Sequence, residues 1–115
     1  MEAFKVEFKA KVEKVRSGNV EGQRIASCRL KGGGVLEFDV IGNLIHVSEG
    51  DELKVVISEE KPSNLDAYEF CGHGYIVAPE SKFNATIFSM WGIIFRFSPP
   101  VGLELDKKYY LCMKH

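Results

Sequence analysis

The chain lacks any long hydrophobic run. Hydrophobic residues make up 45% of its 115 residues, but charged residues, at 27%, interrupt the apolar stretches. A helix that crosses a bilayer needs about 20 mostly apolar residues in succession. The first ten residues alternate charged with apolar side chains instead of forming the apolar core of a signal peptide. We therefore predict no membrane association and a cytoplasmic location.

The chain also lacks a recognisable catalytic constellation. It contains no Gly-x-Ser-x-Gly elbow for nucleophilic catalysis. The carboxylate pairs Asp51-Glu52 and Glu59-Glu60 lie in polar, turn-rich segments, where solvated surface charge is the usual role. The glycines at 32–34 are not followed by Lys-Ser/Thr and a helix, so they indicate a hairpin turn rather than a phosphate loop. We predict a chain with no active site and no cofactor.

Cysteine is scarce and odd in number. Cys28, Cys71 and Cys112 cannot all pair within one chain, and each lies in a strand-like run where a small thiol packs well. We predict that all three are reduced core residues. Cys71-Gly72-His73 brings Cys and His close together in sequence, but structural zinc sites normally use two pairs of such ligands. We therefore predict no metal site.

The pattern that the chain does have is alternation with period two. From Phe4 to Val12 every even position is apolar, whereas the odd positions carry charges, which is typical of a strand with one face on a core. Gly72 and Gly74 predict a bend or bulge within a later strand. No convincing amphipathic helix is present. Further strand-like runs lie at 25–30, 35–40, 53–58, 68–77, 83–89, 93–98 and 108–114.

About eight short strands close either into a barrel or into a two-layer sandwich. We favour the barrel, because glycine-marked bends and an even strand count suit closure, which removes exposed edges. The predicted fold is all-β: residues 1–115 form one domain, a single closed antiparallel barrel of about eight strands.

A set of motifs follows in order along the chain. Near the carboxyl terminus, Trp91-Gly92-Ile93-Ile94-Phe95-Arg96 precedes an irregular loop at 98–105, then Asp106 and a closing strand at 110–114. Upstream segments at 28–30, 36–40, 50–57 and 66–70, with Gly74 beyond, fit the same series. Their order and spacing resemble the RNA polymerase subunit 8 family, whose archaeal counterpart is the G subunit. Trp91 stands where that family has the first of two glycines. The short segment at 59–66 resembles the archaeal form, which lacks the acidic insertion of eukaryotic members.

This resemblance implies a Greek-key barrel like the oligonucleotide/oligosaccharide-binding (OB) fold. It also implies a non-catalytic subunit that docks on the largest subunit of a DNA-directed RNA polymerase and supports its assembly or stability. The uneven charge agrees with docking into an assembly: residues 1–31 carry a net +4, residues 32–80 a net −8 and residues 81–115 a net +3.

We predict the partner surface on the outer side of the 91–97 segment, which does not alternate apolar with polar residues. Ile93, Phe95 and Phe97 can fill the barrel, which leaves an outward patch of Trp and Ile beside an Arg, the usual composition of an interface centre. The alternative is that the loop at 99–105 folds back over this patch. The predicted contact residues are Trp91, Gly92, Ile94 and Arg96.

The alternative function is a stand-alone barrel that binds single-stranded nucleic acid, because such barrels stack bases on aromatic residues in a basic groove. A basic face on the first two strands would serve it. Glu7 and Glu13 dilute that face and the whole chain has a net charge of −1, so we predict weak, salt-sensitive and at most indirect nucleic-acid binding. The residues of this face are Lys5, Lys9, Lys11, Arg29 and Lys31.

Overall fold

The computed structural model describes residues 3–40 and 45–115. Within them the chain forms eight strands, a one-turn 3₁₀ helix at Leu65–Ala67 and a short helix α1 at Glu80–Phe83. Neither helical segment of this described part is long and apolar enough to cross a membrane. The strands are β1 (Lys5–Ser17), β2 (Arg24–Leu30), β3 (Val35–Val40), β4 (Glu52–Ser58), β5 (Phe70–Ile76), β6 (Thr86–Met90), β7 (Ile93–Ser98) and β8 (Tyr109–Lys114).

The strands close into one antiparallel barrel in the order β1-β2-β3-β7-β6-β5-β8-β4, with β4 pairing back to β1. Within this ring, β4-β1-β2-β3 is the order of a Greek key. The 13 residues of β1 make closure possible, since its first half pairs with β4 and its second half with β2. The predicted OB-like closed barrel of eight strands is confirmed.

Alternation along β1 places Ala10 and Val12 inside the barrel and Lys9 and Lys11 outside. The register between β1 and β2 shifts between Val12 and Lys14, which is a β-bulge at Glu13. A bulge adds one residue to one strand and reverses the side-chain phase, so Val15 is the next residue of β1 to pack against the core. Large residues that are almost fully buried fill the barrel: Phe38, Phe88, Phe95, Phe97 and Tyr109.

Gly72 and Gly74 lie inside β5, which runs through both positions without interruption. The register with β8 is regular from Phe70 to Gly74, so the predicted bulge is absent from this pairing. Both glycines are buried on the inner side, and a Cβ built at Gly74 would lie 1.9 Å from the carbonyl oxygen of Ser89 on β6. Glycine is required at position 74 because another backbone occupies the space of its side chain.

Cys71 on β5 and Cys112 on β8 are directly opposite each other and form a disulfide, with their Cα atoms 4.1 Å apart. The prediction that all three cysteines are reduced was therefore wrong for this pair. It failed because β5 and β8 are adjacent in the barrel although 41 residues separate the two cysteines in the chain. Cys28 is free and buried, as predicted, and burial raises the pKa of its thiol to about 12.

The loop at 99–105 closes the end of the barrel where β6 begins and β7 ends. The Glu80 carboxylate accepts hydrogen bonds from the Gly102 and Leu103 amides, at 3.1 and 3.0 Å, and from the Thr86 hydroxyl. Thr86 in turn accepts a bond from the Val101 amide at 2.9 Å. Leu103 is buried in the core. The loop is thus fixed at the opposite end of the β6–β7 hairpin from its turn.

Candidate functional site

The turn between β6 and β7 consists of two residues, Trp91 and Gly92. Their φ angles are +51° and +85°, and positive φ at both central residues is the geometry of a type I′ hairpin turn. A bulky residue at positive φ is uncommon, because its Cβ crowds the backbone. The Trp91 side chain is 70% exposed. The turn therefore presents an indole to solvent at one end of the barrel.

The indole of Trp91 packs edge-on against the ring of His73 on β5, with ring centroids 5.8 Å apart. His73 also packs against Tyr110 on β8 at 5.8 Å. A Cβ at Gly72 would approach the Trp91 ring to 3.3 Å, so the glycine makes room for the indole. Tyr75, 49% exposed, lies on the same outer side of β5. We call Trp91, His73, Tyr75 and Tyr110 the aromatic face.

Along β7, Ile93, Phe95 and Phe97 are buried as predicted, and Ile94 and Arg96 point outward. Ile94 is half-buried and lies opposite Ser89, which in turn lies opposite Tyr75 of the aromatic face. These pairings make the outer side of β7 continuous with the aromatic face across β6.

The backbone at Ile94 is fixed by a side chain. Its amide donates to the Asp39 carboxylate at 3.1 Å, and the same carboxylate accepts from the Gln23 amide group at 3.2 Å. The ladder between β3 and β7 ends with the pair of Phe38 and Phe95, so Ile94 is the first residue of β7 outside it. The Asp39 side chain thus satisfies the first backbone donor beyond the ladder and holds the start of β7 in place.

Arg96 lies between Ile87 on β6 and Glu37 on β3. Glu37 does not pair with it, because its carboxylate bonds to Arg16 at 3.0 Å. Arg96 therefore has no ion-pair partner within residues 3–40 and 45–115.

The structure thus places all four predicted contact residues on one outer side: Trp91 and Gly92 at the turn, Ile94 and Arg96 along β7. Three further residues of this side, which come from β5 and β8, were not predicted from the sequence: His73, Tyr75 and Tyr110. The alternation of His73 and Tyr75 with glycines was an available signal, but the contact with Trp91 depends on the pairing of distant strands. The loop at 99–105 lies at the other end of the hairpin, which leaves Trp91 exposed.

The predicted basic residues lie on the outer side of β1 and β2. Lys11 is opposite Arg29, and the Lys31 amide donates to the Lys9 carbonyl at 2.8 Å. Lys9, Lys11, Arg29 and Lys31 line a groove of about 550 Å³ together with Lys54 and His115; Lys5 does not line it. Among the described residues that line the groove, His115 carries the only aromatic ring. Arg29 is held by Glu13 at 2.7 Å.

His115 joins the ends of three strands. Its Nε2 contacts the Asp51 carboxylate before β4 and its Nδ1 contacts the Glu69 carboxylate before β5, both at 2.9 Å. Hydrogen bonds to Asp51 and to Glu69 raise the pKa of His115, and the pKa values of both carboxyls are lowered. The main cause for Asp51 is the bond from the Ser48 amide, and for Glu69 the bond from the His115 amide. We call these three residues the histidine clamp.

The sulfur of Cys71 is bonded to Cys112, so it does not serve as a thiolate ligand beside His73. In the part of the chain that the structure describes, no group of three or more His, Cys, Asp or Glu residues is arranged to hold a metal ion.

Comparison with known proteins identifies the family to which this barrel belongs. The family model for the G subunit of DNA-directed RNA polymerase matches residues 5–115, from the start of β1 through β8. The chain belongs to this family. Curated relatives include the DNA-directed RNA polymerase subunit Rpo8 of Saccharolobus solfataricus strain P2, 26% identical over 126 aligned positions that cover 97% of this chain and 94% of the relative. Rpo8 of Sulfolobus acidocaldarius strain DSM 639 is 29% identical over 83 positions, 70% of this chain and 67% of the relative.

The resemblance inferred from the sequence motifs is thereby confirmed. As a member of the G-subunit family, the chain is an RNA polymerase subunit of archaeal type. Trp91 is the most exposed of the large hydrophobic residues in its described part.

Proposed function

We propose that this subunit is a non-catalytic component that docks on the largest subunit of an archaeal-type RNA polymerase and supports the assembly and stability of the enzyme. The observation that supports this most is the exposed indole of Trp91 on the aromatic face. A left-handed backbone at a non-glycine residue costs about 1–2 kcal/mol. A partner that buries the indole would offset this cost.

The aromatic face has the composition of an interface centre. Trp, Tyr and Arg are the residues whose truncation most often weakens protein–protein binding. Trp91 is already packed against His73, so little side-chain freedom remains to be lost on binding. Arg96, without an ion-pair partner among the described residues, would supply a charged contact beside the apolar centre. We therefore propose that docking uses Trp91, Gly92, Ile94 and Arg96 together with His73, Tyr75 and Tyr110.

In this proposal the chain acts through its surface. Catalysis lies in other subunits, no cofactor or metal is bound by this one, and the subunit works in the cytoplasm as part of the polymerase. What the barrel contributes is a closed, rigid scaffold that holds the aromatic face in one geometry. Preorganisation of this kind lowers the entropy lost on association.

Replacement of Trp91 by asparagine tests the docking surface. Asparagine tolerates positive φ, so Trp91→Asn keeps the turn while removing the indole. We expect binding to the isolated largest subunit to weaken by about 2 kcal/mol, roughly 30-fold in Kd, as for loss of a central interface aromatic. Titration calorimetry would measure the change, and circular dichroism would show that the variant is folded.

Val20 provides the matched control. It is 68% exposed, close to the value for Trp91, and lies in the turn between β1 and β2. Val20→Asn should leave the Kd unchanged, because that turn is outside the aromatic face. Equal affinities of the wild type, Trp91→Asn and a folded Ile94→Asp variant for the largest subunit would show that the interface lies elsewhere.

The rival function, a stand-alone nucleic-acid-binding barrel, has less support. Base stacking needs exposed aromatic rings in the basic groove, whereas Phe4 and Phe8 pack against the core. We expect single-stranded RNA to bind with a Kd weaker than about 1 μM at physiological salt, in the range of non-specific binding. Tighter binding at that salt would favour the rival.

A further inference from the structure

Four lysines form a continuous row across the outer side of the barrel. Lys9 on β1 lies opposite Lys54 on β4, and Lys54 lies opposite Lys114 on β8. Lys31, directly after β2, is bonded through its amide to the Lys9 carbonyl at 2.8 Å. Neighbouring strands are about 4.8 Å apart, so four ammonium-bearing side chains leave the sheet within about 15 Å. We call Lys31, Lys9, Lys54 and Lys114 the lysine row.

This arrangement opposes folding, because like charges directly opposite one another on a sheet are destabilising. Neighbouring groups offset this repulsion only at the Lys54–Lys114 end of the row. Lys54 lies 3.5 Å from the Glu7 carboxylate, and the Lys114 ammonium lies 5.7 Å from the centre of the Tyr68 ring. Lys9 and Lys31 have no carboxylate at ion-pair distance among the described residues.

A neighbouring row of residues adds positive charge beside Lys9 and Lys31. Lys11 lies opposite Arg29 on one side and Glu52 on the other. Arg29 is neutralised by Glu13, but Lys11 has no ion pair in the described part of the chain. Lys9, Lys11 and Lys31 therefore give the groove three cations without an ion pair among the described residues, beside the single lining carboxylate of Glu52 and above the buried side chains of Leu30 and Leu53.

The lysine row lies away from Trp91, although Lys114 of the row and Tyr110 of the aromatic face are both on the outer side of β8. In the closed ring, β1 and β4 lie across the barrel from β6 and β7. A partner that covers Trp91 would leave this groove open.

We propose that the lysine row is a second docking site and that its occupant is an extended acidic segment of another polypeptide. Side chains on one face of an extended chain recur about every 6.8 Å, so two or three carboxylates can face the row at once. Complementary charge of this kind sets orientation and accelerates association. The site goes beyond docking through Trp91, because it recognises a different chemistry on the other side of the barrel.

The groove favours a peptide over nucleic acid for two reasons. Its lining, within residues 3–40 and 45–115, offers no Phe, Tyr or Trp ring for base stacking. Acidic side chains also lie close to its cations: Glu52 lines the groove opposite Lys11, and Glu7 and Glu13, outside the lining residues, pair with Lys54 and Arg29. A phosphate backbone carries uniform negative charge and meets these carboxylates, whereas a peptide can place neutral residues opposite them.

Fluorescence anisotropy with a labelled synthetic peptide of about 12 residues, glutamate alternating with serine, tests the site, since such a peptide spans the row when extended. The test variant is the full chain with Lys9→Gln and Lys31→Gln. We expect its affinity for the peptide to fall by about fivefold or more at low salt, the combined effect of two exposed charge pairs. The unbound variant should melt about 2 °C higher than the wild type, because like-charge repulsion is relieved. If the lysine row is only solvated surface, the double variant will melt at a higher temperature but show no specific loss of affinity for the peptide.

The matched control carries Lys14→Gln and Lys61→Gln, which change the net charge equally at exposed positions outside the row. It should bind the peptide like the wild type. Failure of the wild type to bind the peptide, or equal weakening in both double variants, overturns the proposal. Tighter binding of single-stranded RNA or duplex DNA of equal charge at the same salt overturns it in favour of nucleic acid. Trp91→Asn should bind the peptide normally, so this result is independent of docking on the largest subunit.

Discussion

At the scale of single residues, the positions without side chains are as informative as the exposed aromatic residues. Gly74 and Gly72 both face inward from β5, but different atoms occupy the space beside them. A Cβ at Gly74 would meet the Ser89 backbone at 1.9 Å, whereas a Cβ at Gly72 would meet the flexible Met90 side chain at 2.9 Å. Backbone cannot move aside without breaking the β5–β6 pairing.

Gly74→Ala should therefore be strongly destabilising. We expect a loss of about 3 kcal/mol in the free energy of unfolding, at the upper end of the usual cost of overpacking a core. Gly72→Ala is the control on the same strand and should cost clearly less, because the Met90 thioether can adopt another rotamer and the exposed Trp91 indole, 3.3 Å from the added Cβ, can shift. Urea unfolding of both variants measures the difference, and equal stability of the two would contradict the role assigned to the Ser89 backbone.

The histidine clamp makes stability depend on pH. Because the pKa of His115 in the folded chain is raised above its ordinary value of 6.5, its contribution is fully present below about pH 6.5 and is lost as pH rises through the folded pKa. The lowered pKa values of Asp51 and Glu69 act in the opposite direction. Their contribution is present above their ordinary values, 3.8 and 4.5, and is lost as pH falls through the folded pKa.

We expect the clamp to be strongest between about pH 4.5 and pH 6.5, where all three groups carry charge. His115→Ala should lower the Tm more at about pH 6 than at about pH 9, because the contribution of the imidazole charge is lost as pH rises through the folded pKa. Thermal unfolding of both proteins across this range gives the comparison. A Tm difference that does not change with pH would show that the clamp does not depend on the charge of His115.

Residue patterns predicted the inner side of each strand better than the outer contacts. Ile93, Phe95 and Phe97 were correctly placed in the core, because burial follows local alternation. The contact of Trp91 with His73 was not predicted, since it joins a turn to a strand that is distant in the sequence. Local pattern decides which way a side chain points, but the pairing of strands decides what it meets.

At the scale of secondary-structure elements, the strands were predicted with small errors at their ends. The first strand extends to Ser17, beyond the predicted alternation. The bulge at Glu13 reverses the alternation of inward and outward side chains, so the period-two pattern does not continue past it. The run at 83–89 begins as the helix α1, and β6 starts only at Thr86. Both errors occur where a regular period changes within a few residues.

The disulfide between β5 and β8 is the element-level feature that was not predicted from the sequence. Cysteines in the cytosol are usually reduced, although intracellular proteins of hyperthermophilic archaea are a known exception. The bond lies between two strands that already pair, and Cys112 is buried. It therefore adds a covalent link within the barrel wall next to His73 of the aromatic face.

Reduction of this disulfide should destabilise the barrel. For a sequence separation of 41 residues, the loss of chain entropy in the unfolded state corresponds to about 2–4 kcal/mol. We expect dithiothreitol to lower the midpoint of guanidinium unfolding accordingly. The variant Cys71→Ala with Cys112→Ala should start at the lower midpoint and be insensitive to the reductant. Unchanged stability of the reduced wild type would mean that strand pairing alone holds β5 to β8.

At the scale of the whole molecule, barrel closure determines how the two candidate surfaces are arranged. Trp91 and its neighbours lie on the β5–β6–β7 side with Tyr110 of β8, whereas the lysine row crosses from β2 over β1 and β4 to the end of β8. The sequence predicted the barrel but only part of each surface, namely Trp91 of the aromatic face and Lys9 and Lys31 of the lysine row. The position of Lys9 across the barrel from the hairpin that carries Trp91 follows from the strand order, which no local pattern contains.

This arrangement predicts that the two surfaces act independently when the subunit joins the polymerase. Substitutions more than about 7–10 Å apart without shared partners usually have additive effects, and the barrel lies between these two sites. We expect the loss of affinity for the reconstituted polymerase in a chain with Trp91→Asn, Lys9→Gln and Lys31→Gln to equal the sum of the separate losses within about 0.5 kcal/mol. Competition binding with the wild-type subunit measures all three variants under one condition. A coupling energy above about 1 kcal/mol would show that one partner surface contacts both sides of the barrel, or that the barrel transmits a change between them.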